Sequence, residues 1–151
     1  MPTMKSHADV LWEGGLQDGS GKLRVGSQAF PEQTVTFSAR TEPKQGTTNP
    51  EELLAAAHAV CFAMAFSNRL AQNGTPPRTL QVSALSSLDR VEGGLKITSV
   101  ELSVQGDVPD LAPDEFARLA KEAEEKCPVS NALRGNVDIR LNATPVTSAA
   151  R

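Results

Sequence analysis

Over the first forty residues, apolar positions recur every second place in short runs. "ADVLWEG" and "KLRVGS" read as strands separated by the Gly-rich "GLQDGSG". "TVTFSAR" alternates Val35, Phe37 and Ala39 with Thr34, Thr36, Ser38 and Arg40, which predicts a third strand with Arg40 on its polar face. After the turn-rich "EPKQGTT" the period changes. Asn49 is placed to N-cap a helix, Pro50 suits its first position, and Glu51 and Glu52 follow, with Glu52 at the capping-box position. From Leu53 to Leu70 this helix is apolar nearly all round, which predicts burial on every side, and Gly74, Pro76 and Pro77 end it.

Further on, "LQVSALSSL" and "LKITSVELSVQG" flank "DRVEGG" as a hairpin with Gly93 and Gly94 in the turn. The second run changes phase at Ser99, from Leu95 and Ile97 to Val100, Leu102 and Val104, which predicts a bulge or a strand buried on both faces. Pro113 opens a helix with Phe116, Leu119, Ala120 and Ala123 on one stripe. Cys127 continues that stripe, and Pro128 begins a short new helix that Gly135 terminates. "VDIRLNA" is a final alternating strand. Strands on both sides of a long helix make the fold class α+β, not a parallel doubly wound sheet.

A chain of 151 residues is of a size for one domain, 1–151. Its aromatic fraction is 4% with no tyrosine, so the core of a lone subunit would be thin and a partner subunit would supplement it. The fifteen Lys and Arg are scattered and the net charge is −3, which excludes the electrostatic footprint of a nucleic-acid binder. "MPTMKSHADV" has no apolar leader. The longest apolar stretch, Leu53 to Phe66, carries His58 and falls short of the roughly 18 to 20 residues that span a bilayer. A cytoplasmic protein without membrane contact is therefore expected. The two cysteines, in a reducing compartment, would form a transient, chemical disulfide rather than a staple.

Those two cysteines, Cys61 and Cys127, are the candidate chemistry. Cys61 in an alanine-rich helix can be a small core hydrophobe. Cys127, preceding Pro128, lies at a helix N-terminus, where unpaired N–H groups favour a thiolate, and Lys126 adds a cation. Helical rotation puts Leu54 and His58 near the Cys61 azimuth, His58 reading as a packed or hydrogen-bonded structural histidine. Glu51 lies about 80° away and about 15 Å along the axis, out of reach of Cys61 in its own chain. It acts there only through an intervening cation or from a partner's antiparallel helix; otherwise it is a carboxylate favoured by the helix dipole. The sequence holds no C-x-x-C or H-x-x-x-H pair, which argues against a metal site and a thioredoxin-like oxidoreductase, and no G-x-S-x-G nucleophile elbow. No metal or cofactor is expected.

"TNPEELLAAAHAVCFAMA" and "KCPVSNAL" resemble the two signature segments of the OsmC/Ohr family of organic hydroperoxide reductases. "LWEGGLQDGSG", "FSAR" with Glu42 just after it, and "SLDRVEGGLKI" resemble its OsmC branch, so the likeness covers essentially the whole chain. The resemblance implies an OsmC-like α+β fold, strands packed around a long buried central helix, in an intertwined homodimer with active sites at the subunit boundary. It implies a thiol peroxidase in which Cys61 attacks the peroxide and Cys127 resolves the sulfenic acid to a disulfide, with Arg40 as the active-site arginine and Glu51 as its glutamate. One of these two would come from the other subunit. It also implies an organic hydroperoxide as substrate and a dithiol reductant of the lipoyl type. Phe62, Met64 and Phe66 would supply an apolar wall suited to alkyl or lipid hydroperoxides. One departure is Thr41, where the OsmC pattern has an aromatic residue after the arginine. Two other readings share the same residues: a non-enzymatic redox-sensing or ligand-binding dimer, and plain thiol–disulfide exchange on protein substrates.

Overall fold

In the computed structural model, which describes residues 3–146, the alternating N-terminal runs form β1 (Ala8–Glu13) and β2 (Ser20–Val25), paired antiparallel, with a short β3 (Gln33–Val35) on the other edge of β2. Every residue of β1 is exposed, Val10, Leu11 and Trp12 included, while Leu23 of β2 is buried. The third strand stops earlier than the alternation predicts. Phe37–Thr41 is a helix, α1, and Arg40 therefore stands on a helix, not on a strand face. The reason is Thr36. Its extended backbone and its side-chain oxygen, which accepts from the Ala39 N–H at 3.2 Å, make it an N-cap, and a Ser/Thr-rich stretch that mimics strand alternation turns into a helix instead.

The chain divides after Leu53 into two compact units, each described by itself. The division falls within α2 (Pro50–Gln72), whose start is the one predicted: Asn49 Oδ1 accepts from the Glu52 N–H at 2.8 Å. Its end is a Schellman closure, with Thr75 N–H donating to Leu70 O, Gly74 N–H to Ala71 O, and Gly74 at a φ of 80° that suits glycine. At 23 residues α2 is long and apolar enough to cross a membrane by length and composition, longer than the Leu53–Phe66 run taken alone suggested. Its burial corrects a second expectation. Within this chain the helix is not enclosed on all sides: His58, Phe62, Phe66 and Leu70 form one fully buried stripe, whereas Val60 and Met64 are 55% and 69% exposed. Apolar composition counts residues around the axis, but packing selects those at i, i+4 and i+8.

The stripe packs into a core shared with a second sheet and a third helix. β4 (Thr79–Val91) and β5 (Gly94–Asp107) form the hairpin around the Glu92–Gly93 turn, and β6 (Asp138–Pro145) runs parallel to β5 on its other edge. The phase change near Ser99 is a bulge. Ser87 pairs with Ser99 and Leu88 with Ile97, which leaves Thr98 as the extra residue and turns Val100, Leu102 and Val104 inward. α3 (Pro113–Lys126) buries Phe116, Leu119, Ala120 and Ala123, and Phe116 meets Phe66 edge to face with centroids 5.1 Å apart. α4 (Pro128–Leu133) follows directly, with Cys127 ending one helix and capping the next. The described residues thus form two three-stranded sheets and four helices, the mixed α+β class that the strand and helix pattern predicts.

Candidate active site

Two clusters gather the residues singled out by the sequence. The first joins α1 to the start of α2. Asn49 is the hinge of this arrangement: its Oδ1 caps α2 while its Nδ2 donates to the buried Ala39 carbonyl at 3.1 Å, so the last turn of α1 hangs from the first turn of α2. The neighbouring residues meet as a consequence. Arg40 reaches Glu51 Oε1 with Nε at 2.9 Å and with Nη2 at 2.8 Å, the carboxylate nearly buried and the guanidinium one-third exposed. Both contacts fall on one oxygen. Among the described residues Glu51 Oε2 has no hydrogen-bond partner, and Arg40 Nη1 is left free to hold a further anion.

The second cluster lies wholly in the second unit and holds both cysteines as free thiols. Cys61 is half-buried on α2, packed against the core cluster, and Cys127 is fully buried where α3 gives way to α4. The two thiols lie close enough to act on each other. Burial pushes the Cys61 thiol up from its ordinary value, the Val129 backbone N–H pulls the other way by donating to the sulfur, and the Cys127 thiol adds to the rise. Burial wins. The amide expected to favour a thiolate at Cys127 is therefore aimed, from the first turn of α4, at Cys61.

A groove of about 380 Å³ runs beside Cys61, lined along α2 by Met64, Ala65, Asn68 and Arg69 and across from it by Ala123, Lys126 and Pro128. Of the three apolar side chains expected to wall this site, only Met64 lines it. Phe62 and Phe66 are fully buried in the core and stacked on each other with centroids 5.7 Å apart. The helical period explains the correction: residues one and five places after Cys61 turn toward the sheet, while the one three places on stays beside the sulfur. Arg69 is held at the groove by Glu122, 2.7 Å away on α3.

His58 is fully buried and hydrogen-bonded, as a structural histidine should be: its Nε2 lies 2.7 Å from Ser130 Oγ. Burial lowers its pKa, against a smaller upward pull from the Glu124 carboxylate, so the ring is held neutral. Glu124 in turn takes Arg134 Nη2 at 2.9 Å, and the same nitrogen reaches the Glu124 carbonyl at 3.3 Å. Sequence reasoning assigned no role to Ser130, Val129, Glu124 or Arg134. Ser130 sits in the quoted "KCPVSNAL", but its partner is 72 residues away. Among the described residues no group of three or more His, Cys, Asp and Glu side chains is placed to hold a metal ion.

A family model described as OsmC-like protein matches residues 43–142, a span that takes in Glu51 and both cysteines and leaves Arg40 just outside. The chain is 35% identical over 137 residues to Peroxiredoxin OsmC of Escherichia coli (strain K12), covering 91% of this chain and 95% of that protein. It is 38% identical over 109 residues to Organic hydroperoxide resistance protein OhrB of Bacillus subtilis (strain 168), covering 71% and 76%. The crystal structure of the Bacillus subtilis OhrB matches with a TM-score of 0.71 at 31% identity, covering 91% of this chain and 98% of that one. An organic hydroperoxide resistance protein from Elizabethkingia anophelis matches with a TM-score of 0.76 at 22% identity, over 96% and 99%, a likeness of fold.

Proposed function

The chain belongs to the OsmC family, and on that premise we propose that it is a cysteine-based peroxidase that reduces organic hydroperoxides to alcohols, with Cys61 as the attacking thiol and Cys127 as the resolving one. Relatives of this similarity are named peroxiredoxin and organic hydroperoxide resistance protein, which supports a hydroperoxide-detoxifying enzyme of the peroxidase type. The observation that carries the finer reading is the contact between the two thiols beside an accessible groove.

The Cys61 thiolate attacks the terminal oxygen of ROOH, the O–O bond breaks, and the departing alkoxide takes a proton to leave as ROH. Cys61 is now a sulfenic acid. The Cys127 thiol displaces its hydroxyl as water, forming the Cys61–Cys127 disulfide and forestalling further oxidation. An external dithiol of the lipoyl type then attacks the disulfide through a mixed intermediate and restores both thiols as it closes to its own disulfide. Because burial raises the Cys61 thiol, a cation must stabilise the thiolate. Arg40 is that cation. Its guanidinium is held from one edge by Glu51, and the unengaged Nη1 is available to the sulfur and to charge developing on the peroxide oxygens.

The working form is a homodimer in the cytoplasm. Val10, Leu11 and Trp12 of β1 and Val60 and Met64 of α2 are apolar and exposed in the single chain, surface that a second copy would cover. In that assembly Arg40 and Glu51 of one subunit serve Cys61 of the other. The test is consumption of cumene hydroperoxide and of hydrogen peroxide by the purified protein with dihydrolipoamide, beside Cys61→Ser and Cys127→Ser. Turnover of the organic peroxide that vanishes in Cys61→Ser is expected, with Cys127→Ser inactivated by over-oxidation. Equal inertness of wild type and Cys61→Ser with several dithiols would overturn the peroxidase in favour of a redox-sensing or ligand-binding dimer.

A further inference from the structure

His58 and Cys61 stand one helical turn apart on α2, and Ser130 and Cys127 stand the same three residues apart at the start of α4. The His58–Ser130 hydrogen bond and the Cys61–Cys127 contact are therefore successive rungs of one antiparallel pairing between the two segments. We propose that His58 and Ser130 are positioning residues for the resolving step, a latch that keeps α4 docked on α2 so that the Cys127 thiol meets the oxidised Cys61 before a second peroxide does. The inference rests on the peroxidase reading for its biological use, but not for its geometry.

α4 has six residues, far below the length at which a helix holds itself in water, and it lies between an extended residue at Cys127 (φ −67°, ψ 120°) and Gly135 at a φ of 90°. Its position is thus set by what it is fastened to. At its far end Arg134 ties it to Glu124 of α3, and Val129 and Leu133 pack against the apolar core, contacts that carry no polar tie to α2. Among the described residues its polar fastenings toward α2 are the Val129 N–H on the Cys61 sulfur and the Ser130 hydroxyl on His58. The first disappears in use, because it falls on the atom that becomes oxidised. The second persists through the cycle. Both its members are fully buried, and His58 Nδ1 has no hydrogen-bond partner among the described residues, so Ser130 is the polar contact that fixes the ring.

A disulfide tolerates only a narrow range of backbone separations, and a sulfenic acid that waits for its partner goes on to the irreversible sulfinic acid. One buried neutral hydrogen bond shifts the ratio of docked to undocked α4 by about ten-fold. Two oxidants separate the positioning from the peroxidase chemistry. Diamide, a diazene, takes two electrons and two protons from the two thiols and becomes the hydrazine, closing the disulfide without any peroxide. Quenched alkylation and mass spectrometry of the full-length protein then give the closing rate.

Ser130→Ala and His58→Leu are expected to close about ten-fold more slowly than wild type, while His58→Gln, whose amide can keep the bond, retains most of the rate. With several equivalents of cumene hydroperoxide and no reductant, Ser130→Ala is expected to lose the Cys61 thiol as fast as wild type but to accumulate Cys61 sulfinic acid, the second equivalent oxidising the waiting sulfenic acid. Wild-type closing rates in Ser130→Ala and His58→Leu, or a loss of attack rate as large as the loss of closing, would overturn the latch. If wild type consumes no hydroperoxide, the peroxidase reading fails and the diamide rates still decide the positioning.

Discussion

Asn49 touches neither thiol, yet replacing it with alanine should loosen the arginine cluster. Its side chain makes two bonds of different kinds, one capping α2 through the Glu52 N–H and one holding the Ala39 carbonyl of α1. Loss of an N-cap costs about 1 kcal/mol. Ala39 is 2% exposed and Asn49 8%, so water does not readily replace the second bond, and an unsatisfied carbonyl there adds about 1–2 kcal/mol. Asn49→Ala should therefore destabilise by about 2–3 kcal/mol, a fall in Tm of roughly 4–12 °C for a chain of this size. Asn49→Ser separates the two terms, since its hydroxyl caps the helix but does not reach the Ala39 carbonyl; it should recover about 1 kcal/mol. Urea unfolding followed by circular dichroism measures all three proteins. Under the proposed function, hydroperoxide kcat/KM should fall with Asn49→Ala, because α1 carries Arg40. Both variants within about 0.5 kcal/mol of wild type would refute the reasoning, as would serine behaving like alanine.

Gly106→Ala would place its Cβ 2.6 Å from Phe116 Cε2 and 2.9 Å from Leu80 Cδ2, against a ring with no exposed surface to move into. It should cost about 1–3 kcal/mol in urea unfolding, and an unchanged midpoint would show that Phe116 yields. His58 has a folded pKa below its ordinary 6.5, so its contribution is full above 6.5 and is lost as pH falls through the lower folded value. Stability should accordingly fall in mild acid, and fall less in His58→Gln; parallel pH curves for the two proteins would contradict this. In a Cys127→Ser background, the midpoint of Cys61 alkylation by iodoacetamide against pH should move upward in Arg40→Ala, since burial alone raises the thiol. Superimposable pH–rate curves would remove Arg40 from the role of thiolate partner.

What the sequence disclosed and what it hid follow the range of the interactions involved. Asn49, Pro50, Gly74 and the bulge at Thr98 act within a few residues of themselves, and each stands where local pattern put it. Thr36 shows how a local signal misleads: Ser and Thr at alternate places fit a half-buried strand and an N-capped helix equally well, and only the bond to Ala39 N–H decides. The candidate residues were named through the resemblance of short segments to a family, but no local pattern gave their arrangement. Phe62 and Phe66 are as apolar as Met64, and which of them faces the groove depends on where the sheet packs. His58 could be read as structural from its neighbours, yet nothing local points to Ser130, which chain folding brings in from 72 residues away.

The proposed function places two demands on Cys61, and they conflict. A groove that admits an organic molecule must be partly apolar, and Met64, Ala65 and Ala123 make it so. The same surroundings hold the proton on sulfur, and the outcome in this chain is a raised thiol even with the Val129 N–H in place. A single neutral donor does not offset the burial, so under the proposed function activation of Cys61 would require a full charge. Lysine in such a setting would itself tend to give up its proton, whereas a guanidinium keeps its charge at any pH the protein meets. Arginine brings its own demand, a buried anion to orient it, and Glu51 in the first turn of α2 meets it with two nitrogens on one oxygen. Glu51 also stands in the first turn of α2, where the helix dipole favours a negative charge.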